Sequence, residues 1–73
     1  MTKGFGARLK DLRQRVGMTQ QTLAQTAGLS VSTISRLEQG GQPTSATVVA
    51  LARALNVPAE SLAPSAEGEP TVG

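Results

Sequence analysis

Gly28 stands between two short amphipathic runs, QQTLAQTA and VSTISRLE, and only Leu29 and Ser30 complete the joint. Each run collects its apolar residues on one face: Leu23, Ala24 and Ala27 in the first, Ile34 and Leu37 in the second. That spacing is the helical one. A hydroxyl residue precedes each run, Thr19 before the first and Ser30 before the second, where its oxygen can accept from the backbone N–H groups of a first helical turn. Gly28 can take the left-handed conformation that ends a helix, and Leu29 is expected to turn inward at the corner. The second run has few apolar residues. Between Ser30 and Gly40 only Val31, Ile34 and Leu37 are sizeable and apolar, so a polar face is left over that packing does not explain.

The remaining segments read as helices of the same kind. Phe5, Leu9, Leu12 and Val16 recur as an amphipathic stripe, with Gly17 as a stop. Helix two is expected over Gln20 to Ala27, and helix three to run to about Gln39. Gly40-Gly41-Gln42-Pro43 is a loop by composition. Thr44 or Ser45 then caps a fourth stripe of Val48, Leu51, Ala52 and Leu55, which Asn56 closes because it tolerates the left-handed turn. Pro58 suits the first turn of a fifth, very short helix ending near Ala63, with Leu62 as its anchor. The β-branched clusters at 31–34 and 47–49 have no partner segment alternating with period two, so the fold class is all-α, a compact bundle of five short helices. Residues 1–63 form one domain. Residues 64–73, PSAEGEPTVG, are expected to be a flexible tail or the start of a linker.

Composition removes several functions. A chain of 73 residues holds one small core. It contains no cysteine and no histidine, hence no thiolate site and neither the commonest metal ligand nor the commonest general base. Asp11, Glu38 and Glu60 are scattered carboxylates without a base or thiol beside them. No enzyme, cofactor, metal or small-molecule ligand is therefore expected. With no export pattern and no long apolar run, the expected location is cytoplasmic, away from membranes. The net charge is +2, but residues 1–62 carry all seven Lys and Arg against only Asp11, Glu38 and Glu60, which leaves +4 on the expected domain. Lys3, Arg8, Lys10, Arg13 and Arg15 cluster near the N-terminus. Such a cluster reads first as a solvated helix face, and as a non-specific phosphate attractor second.

Two short helices joined by a glycine-containing turn describe a helix-turn-helix unit. Its separate demands fall on separate residues: Ala24 is small where the helices approach, Gly28 turns, Leu29 plugs the corner, and Ile34 and Leu37 bury the inner face. FGARLKDLRQRVGMTQQTLAQTAGLSVSTISRLEQG, followed by Pro43 and the stripe from Val48 to Val57, resembles the phage-repressor and Cro family of XRE-like DNA-binding domains. The resemblance runs from about Phe5 to Leu62 and includes the spacing of Gln20, Ala24, Gly28, Ile34, Leu37, Glu38 and Gly40. It implies a lambda-repressor-like bundle that binds double-stranded DNA, usually as a two-fold dimer on an operator with inverted half-sites. The homodimer forms either in solution or on DNA only.

In that family helix three enters the major groove, which is wide enough for one helix. With Ile34 and Leu37 inward, Val31, Ser32, Ser35 and Arg36 face outward. Val31, Ser32 and Arg36 match the family's base-reading positions. A guanidinium can donate two hydrogen bonds to guanine O6 and N7, whereas Val31 offers a methyl contact to thymine. Ser32 and Thr33 can serve a base or a phosphate, and Ser35 lies on the same outward face. Gln20 opens helix two where the helix dipole favours a phosphate, and Thr19, first a cap, is a secondary contact. Main-chain N–H groups of Gln39, Gly40, Gly41 and Gln42 could meet a second phosphate. Where many members carry Lys or Arg in this loop, Gly41 and Gln42 stand instead. The family also implies a largely buried salt bridge between Arg13 and Glu38. A transcriptional regulator of the repressor kind is the leading expectation. The alternative is a protein-interaction module, for example an antitoxin-like domain with DNA binding secondary.

Overall fold

Hydroxyl caps and left-handed stops divide the chain into its elements. The computed structural model describes residues 4–62, which form α1 (Phe5–Arg15), α2 (Gln20–Ala27), α3 (Val31–Glu38), α4 (Ser45–Leu55) and a single 3-10 turn at Ala59–Ser61. The expectations for Lys3, for the end of a fifth helix at Ala63 and for the tail at 64–73 lie outside the described residues. No strand occurs among the described residues.

Three helices begin in the same way. Thr19, Ser30 and Thr44 accept from the backbone N–H groups of Thr22, Thr33 and Thr47 at 3.0, 3.1 and 3.1 Å. Each of those threonines also pairs its hydroxyl with that of its cap, at 3.0, 2.9 and 2.9 Å. Of the two candidates for the fourth helix, Thr44 is the cap. Such a cap contributes about 1 kcal/mol. The stops are equally local. Gly28 adopts φ 75° and ψ 31°, which lets the Leu29 N–H reach back to the Ala24 carbonyl at 2.8 Å. Asn56, at φ 60°, ends α4 in the same left-handed region.

α3 packs against α1 and α2, α2 against α4, and α4 against the 3-10 turn. Leu9, Leu23, Ala24, Ile34, Leu37, Leu51, Ala52, Leu55 and Leu62 form the buried core, with Phe5, Leu12, Met18, Ala27, Leu29 and Val48 packed around it. Aliphatic side chains alone fill the centre. The start of α1 approaches the end of α3 so closely that a β-carbon on Gly6 would lie inside the contact distance of the Leu37 carbonyl oxygen and 2.8 Å from that of Glu38. Only glycine fits there.

Two expectations are corrected. The fifth helix is a three-residue 3-10 turn, too short to hold α-helical bonds, although Leu62 behind it is fully buried and does anchor the segment. Val16 is not part of the core: α1 ends at Arg15, Gly17 at φ 75° turns the chain away, and Val16 is left 49% exposed.

Candidate nucleic-acid interface

α3 is two-sided. Ile34 and Leu37 are 0% and 2% exposed, whereas Val31 is 43% exposed and Ser32 and Arg36 are open to solvent on the opposite side. One turn of helix separates Ser32 from Arg36, so both can address one groove. The Arg36 guanidinium makes no hydrogen bond or ion pair among the described residues, and all of its donors are available there. The caps at the starts of α2 and α3 are neutral, and neither first turn holds an acidic residue. The positive end of each helix dipole thus has no acidic side chain in its own first turn.

The inner end of α3 is tied down by a polar knot. Arg13 Nε and Nη2 donate to the two oxygens of Glu38 at 2.6 and 3.1 Å, and Arg13 Nη1 donates to the Met18 carbonyl at 2.8 Å. Gln20 Nε2 donates to Glu38 Oε1 at 3.0 Å. Side-chain exposure of the ion pair is 10% for Arg13 and 5% for Glu38. Burial pushes the Glu38 carboxyl up, but the hydrogen bonds from Arg13 and Gln20, with the charges of Arg13 and Lys10, outweigh it and hold the group below its ordinary value. The Arg13–Glu38 pair therefore joins α1, the turn after it, the start of α2 and the end of α3. Gln20, the position matched to a phosphate contact, keeps one of its two amide N–H groups free of this knot.

The structure narrows the remaining donors. The N–H groups of Gln39, Gly40 and Gly41 already reach the carbonyls of Ser35 and Arg36, Leu37, and Arg36, which corrects the expectation that they aim at a phosphate. The chain folds back over the C-terminus of α3 and uses them itself. In the loop, the Gln42 N–H has no acceptor among the described residues. Thr19 accepts from Thr22 N–H and donates to Thr22 Oγ1, so its hydroxyl proton is engaged within the cap. Thr33 shares a proton with Ser30, and Ser35 Oγ accepts from Gln39 Nε2 at 3.1 Å. The basic cluster also divides: Lys10 is exposed, Arg15 pairs with Asp11 at 3.2 Å, and Arg8 is half-buried with its Nε enclosed. Arg8 thus departs from the fully outward reading.

A family described as "Helix-turn-helix domain" matches residues 5–64, most of the 73-residue chain. The chain belongs to the helix-turn-helix family. This helix-turn-helix domain is of the phage-repressor and Cro type in sequence and fold. It is 42% identical over 62 residues to the HTH-type transcriptional repressor RghR of Bacillus subtilis, a match covering 82% of this chain and 46% of the repressor. The chain thus spans about half the length of that relative. Among solved structures, the restriction-modification controller protein C.AhdI from Aeromonas hydrophila superimposes with a TM-score of 0.78 at 36% identity, covering 80% of this chain and 89% of that one. The P22 c2 repressor protein in complex with a synthetic operator gives 0.77 at 27% identity, covering 84% and 94%.

Three residues of the helix-turn-helix domain have structural roles that the sequence reading did not assign. Gly6 sets how closely α1 seats against the end of α3, and its signal was only a glycine inside a helical stripe. Thr22 and Thr33 complete the caps of α2 and α3. Their signal was legible as a repeated pattern: a hydroxyl residue followed three positions later by threonine, in TQQT, SVST and TSAT.

Proposed function

We propose that the domain binds double-stranded DNA sequence-specifically as a repressor-like transcriptional regulator acting in the cytoplasm, with α3 in the major groove. The observation that carries this reading is the free Arg36 guanidinium on the open face of a helix whose other face is locked into the core. Arg36 donates to guanine O6 and N7, Val31 meets a thymine methyl, and Ser32 reads the neighbouring base edge. The free amide N–H of Gln20, the hydroxyls of Thr33 and Ser35, the Gln39 carboxamide and the Gln42 N–H hold the phosphates on either side. The P22 c2 repressor, similar in fold, was solved on an operator, and RghR bears the name of a repressor. Two copies bind inverted half-sites, pairing in solution or on the DNA only.

Selection of binding sites from random duplex DNA tests this. A half-site containing guanine, repeated in inverted orientation with centres about 34–36 Å apart, is expected. Affinity should fall steeply with salt, since each neutralised phosphate releases counterions. A flat salt response with no enriched site would reject the reading and turn attention to a protein partner.

A further inference from the structure

Gly41 has no positive φ, so its backbone conformation is open to any residue. What crowds a side chain there is Arg36. A β-carbon on Gly41 would lie 3.0 Å from the Arg36 carbonyl oxygen and 3.1 Å from Arg36 Cγ. The loop is held in that place by the Gly41 N–H, which donates to the Arg36 carbonyl at 2.9 Å. An added methyl would therefore press on the Arg36 backbone and the first carbons of its stem, far from the flexible guanidinium end.

We infer that Gly41 is a positioning residue for Arg36: its bare backbone holds the arginine stem in the rotamer that sends the guanidinium along the open face of α3. This rests on the reading of Arg36 as a base contact. In a helix the third χ1 well is closed by the preceding turn, which leaves an arginine two stem directions. A methyl group on residue 41 crowds the one in use. The guanidinium then moves to the other direction, and the base pair it addresses changes or is lost. The phosphate contacts remain, because none of them comes from Gly41, whose N–H stays bonded to Arg36.

The test uses the duplex that the wild-type chain selects from random DNA, with each guanine replaced in turn by 7-deazaguanine, which lacks the N7 acceptor. The wild-type chain is expected to lose roughly tenfold in affinity at one position, and Arg36→Ala to show no loss there. Gly41→Ala should abolish most of that single penalty with an unchanged salt slope, and should add nothing in the Arg36→Ala background. Gly41→Ala with the full penalty would overturn the assignment and leave Arg36 as a base contact. A penalty that persists in Arg36→Ala, or no penalty at any position, would overturn the base contact itself and the assignment with it. A measurement on the wild-type chain alone guards against a variant that fails to fold. Three-bond couplings across Arg36 χ1 should report one rotamer in the free protein; averaging over two would overturn the assignment.

Discussion

Arg36 and Glu38 lie two residues apart on α3 and live in opposite surroundings. Glu38 is enclosed, bonded to Arg13 and Gln20, and holds three elements together; Arg36 is exposed and bonded to nothing else described. The difference teaches that charge on this helix has two separate uses. On the inner side it fixes where the helix sits, and on the outer side it is left unpaired among the described residues, as the proposed base contact requires. Substitutions on the two sides should therefore separate stability from binding almost completely.

The largest effect belongs to the inner side. Glu38→Ala or Arg13→Ala leaves the other charge buried and unpaired, a loss of about 3–5 kcal/mol. A domain of this size has a total stability of roughly 3–9 kcal/mol, so either variant should approach unfolding at room temperature, as urea titration followed by far-ultraviolet circular dichroism would report. Replacing both partners together, Arg13→Met with Glu38→Leu, should recover most of that stability, since an apolar pair of similar volume often matches a buried ion pair. Failure of the double variant to recover would mean that Gln20 and the Met18 carbonyl need the knot as much as Arg13 and Glu38 need each other.

Arg36→Ala is the counterpart on the outer side. Binding to the selected duplex should weaken by about 1–3 kcal/mol, concentrated at one guanine. Stability should change by no more than about 0.5 kcal/mol. A large stability change would break the comparison by showing that the outer face also holds the fold. Gly6→Ala sharpens it from the other end of the knot: the added methyl meets backbone carbonyls of Leu37 and Glu38, and a loss of about 1–3 kcal/mol in stability is expected.

Smaller effects follow from the caps and from pH. Ser30→Ala removes the acceptor for Thr33 N–H and should lower stability by about 1 kcal/mol. Because the folded-state pKa of Glu38 is depressed, its contribution is fully present above the ordinary glutamate range. It is lost as pH falls through that range and below. The melting temperature should hold from neutral pH to about 5 and fall at lower pH. The fall should be shallower in the Arg13→Met with Glu38→Leu protein, where this carboxylate is absent.

The ends of α2, α3 and α4 were legible because their causes are local. A hydroxyl cap or a left-handed residue acts within three or four positions, and Thr19, Gly28, Ser30, Thr44 and Asn56 all do so. The core was legible for the same reason of period, with Leu9, Leu23, Ile34, Leu37, Leu51 and Leu55 on the expected faces. Val16 was misread because a stripe says nothing of where the helix stops. Arg13 and Glu38 were brought together through a family resemblance, since nothing in a separation of 25 residues announces a contact.

The sequence by itself determined the all-α class, the joint at Gly28 and the outward course of Val31, Ser32 and Arg36, because helical period and capping operate inside a single turn. The N–H groups of Gln39, Gly40 and Gly41 are also taken locally, by carbonyls of the last turn of α3. Which side-chain donors remain free was decided by tertiary structure. Gln20 has two amide donors until Glu38 arrives from another helix and takes one. A donor's chemistry is written in its residue, but its availability depends on the acceptors that packing brings within about 3 Å.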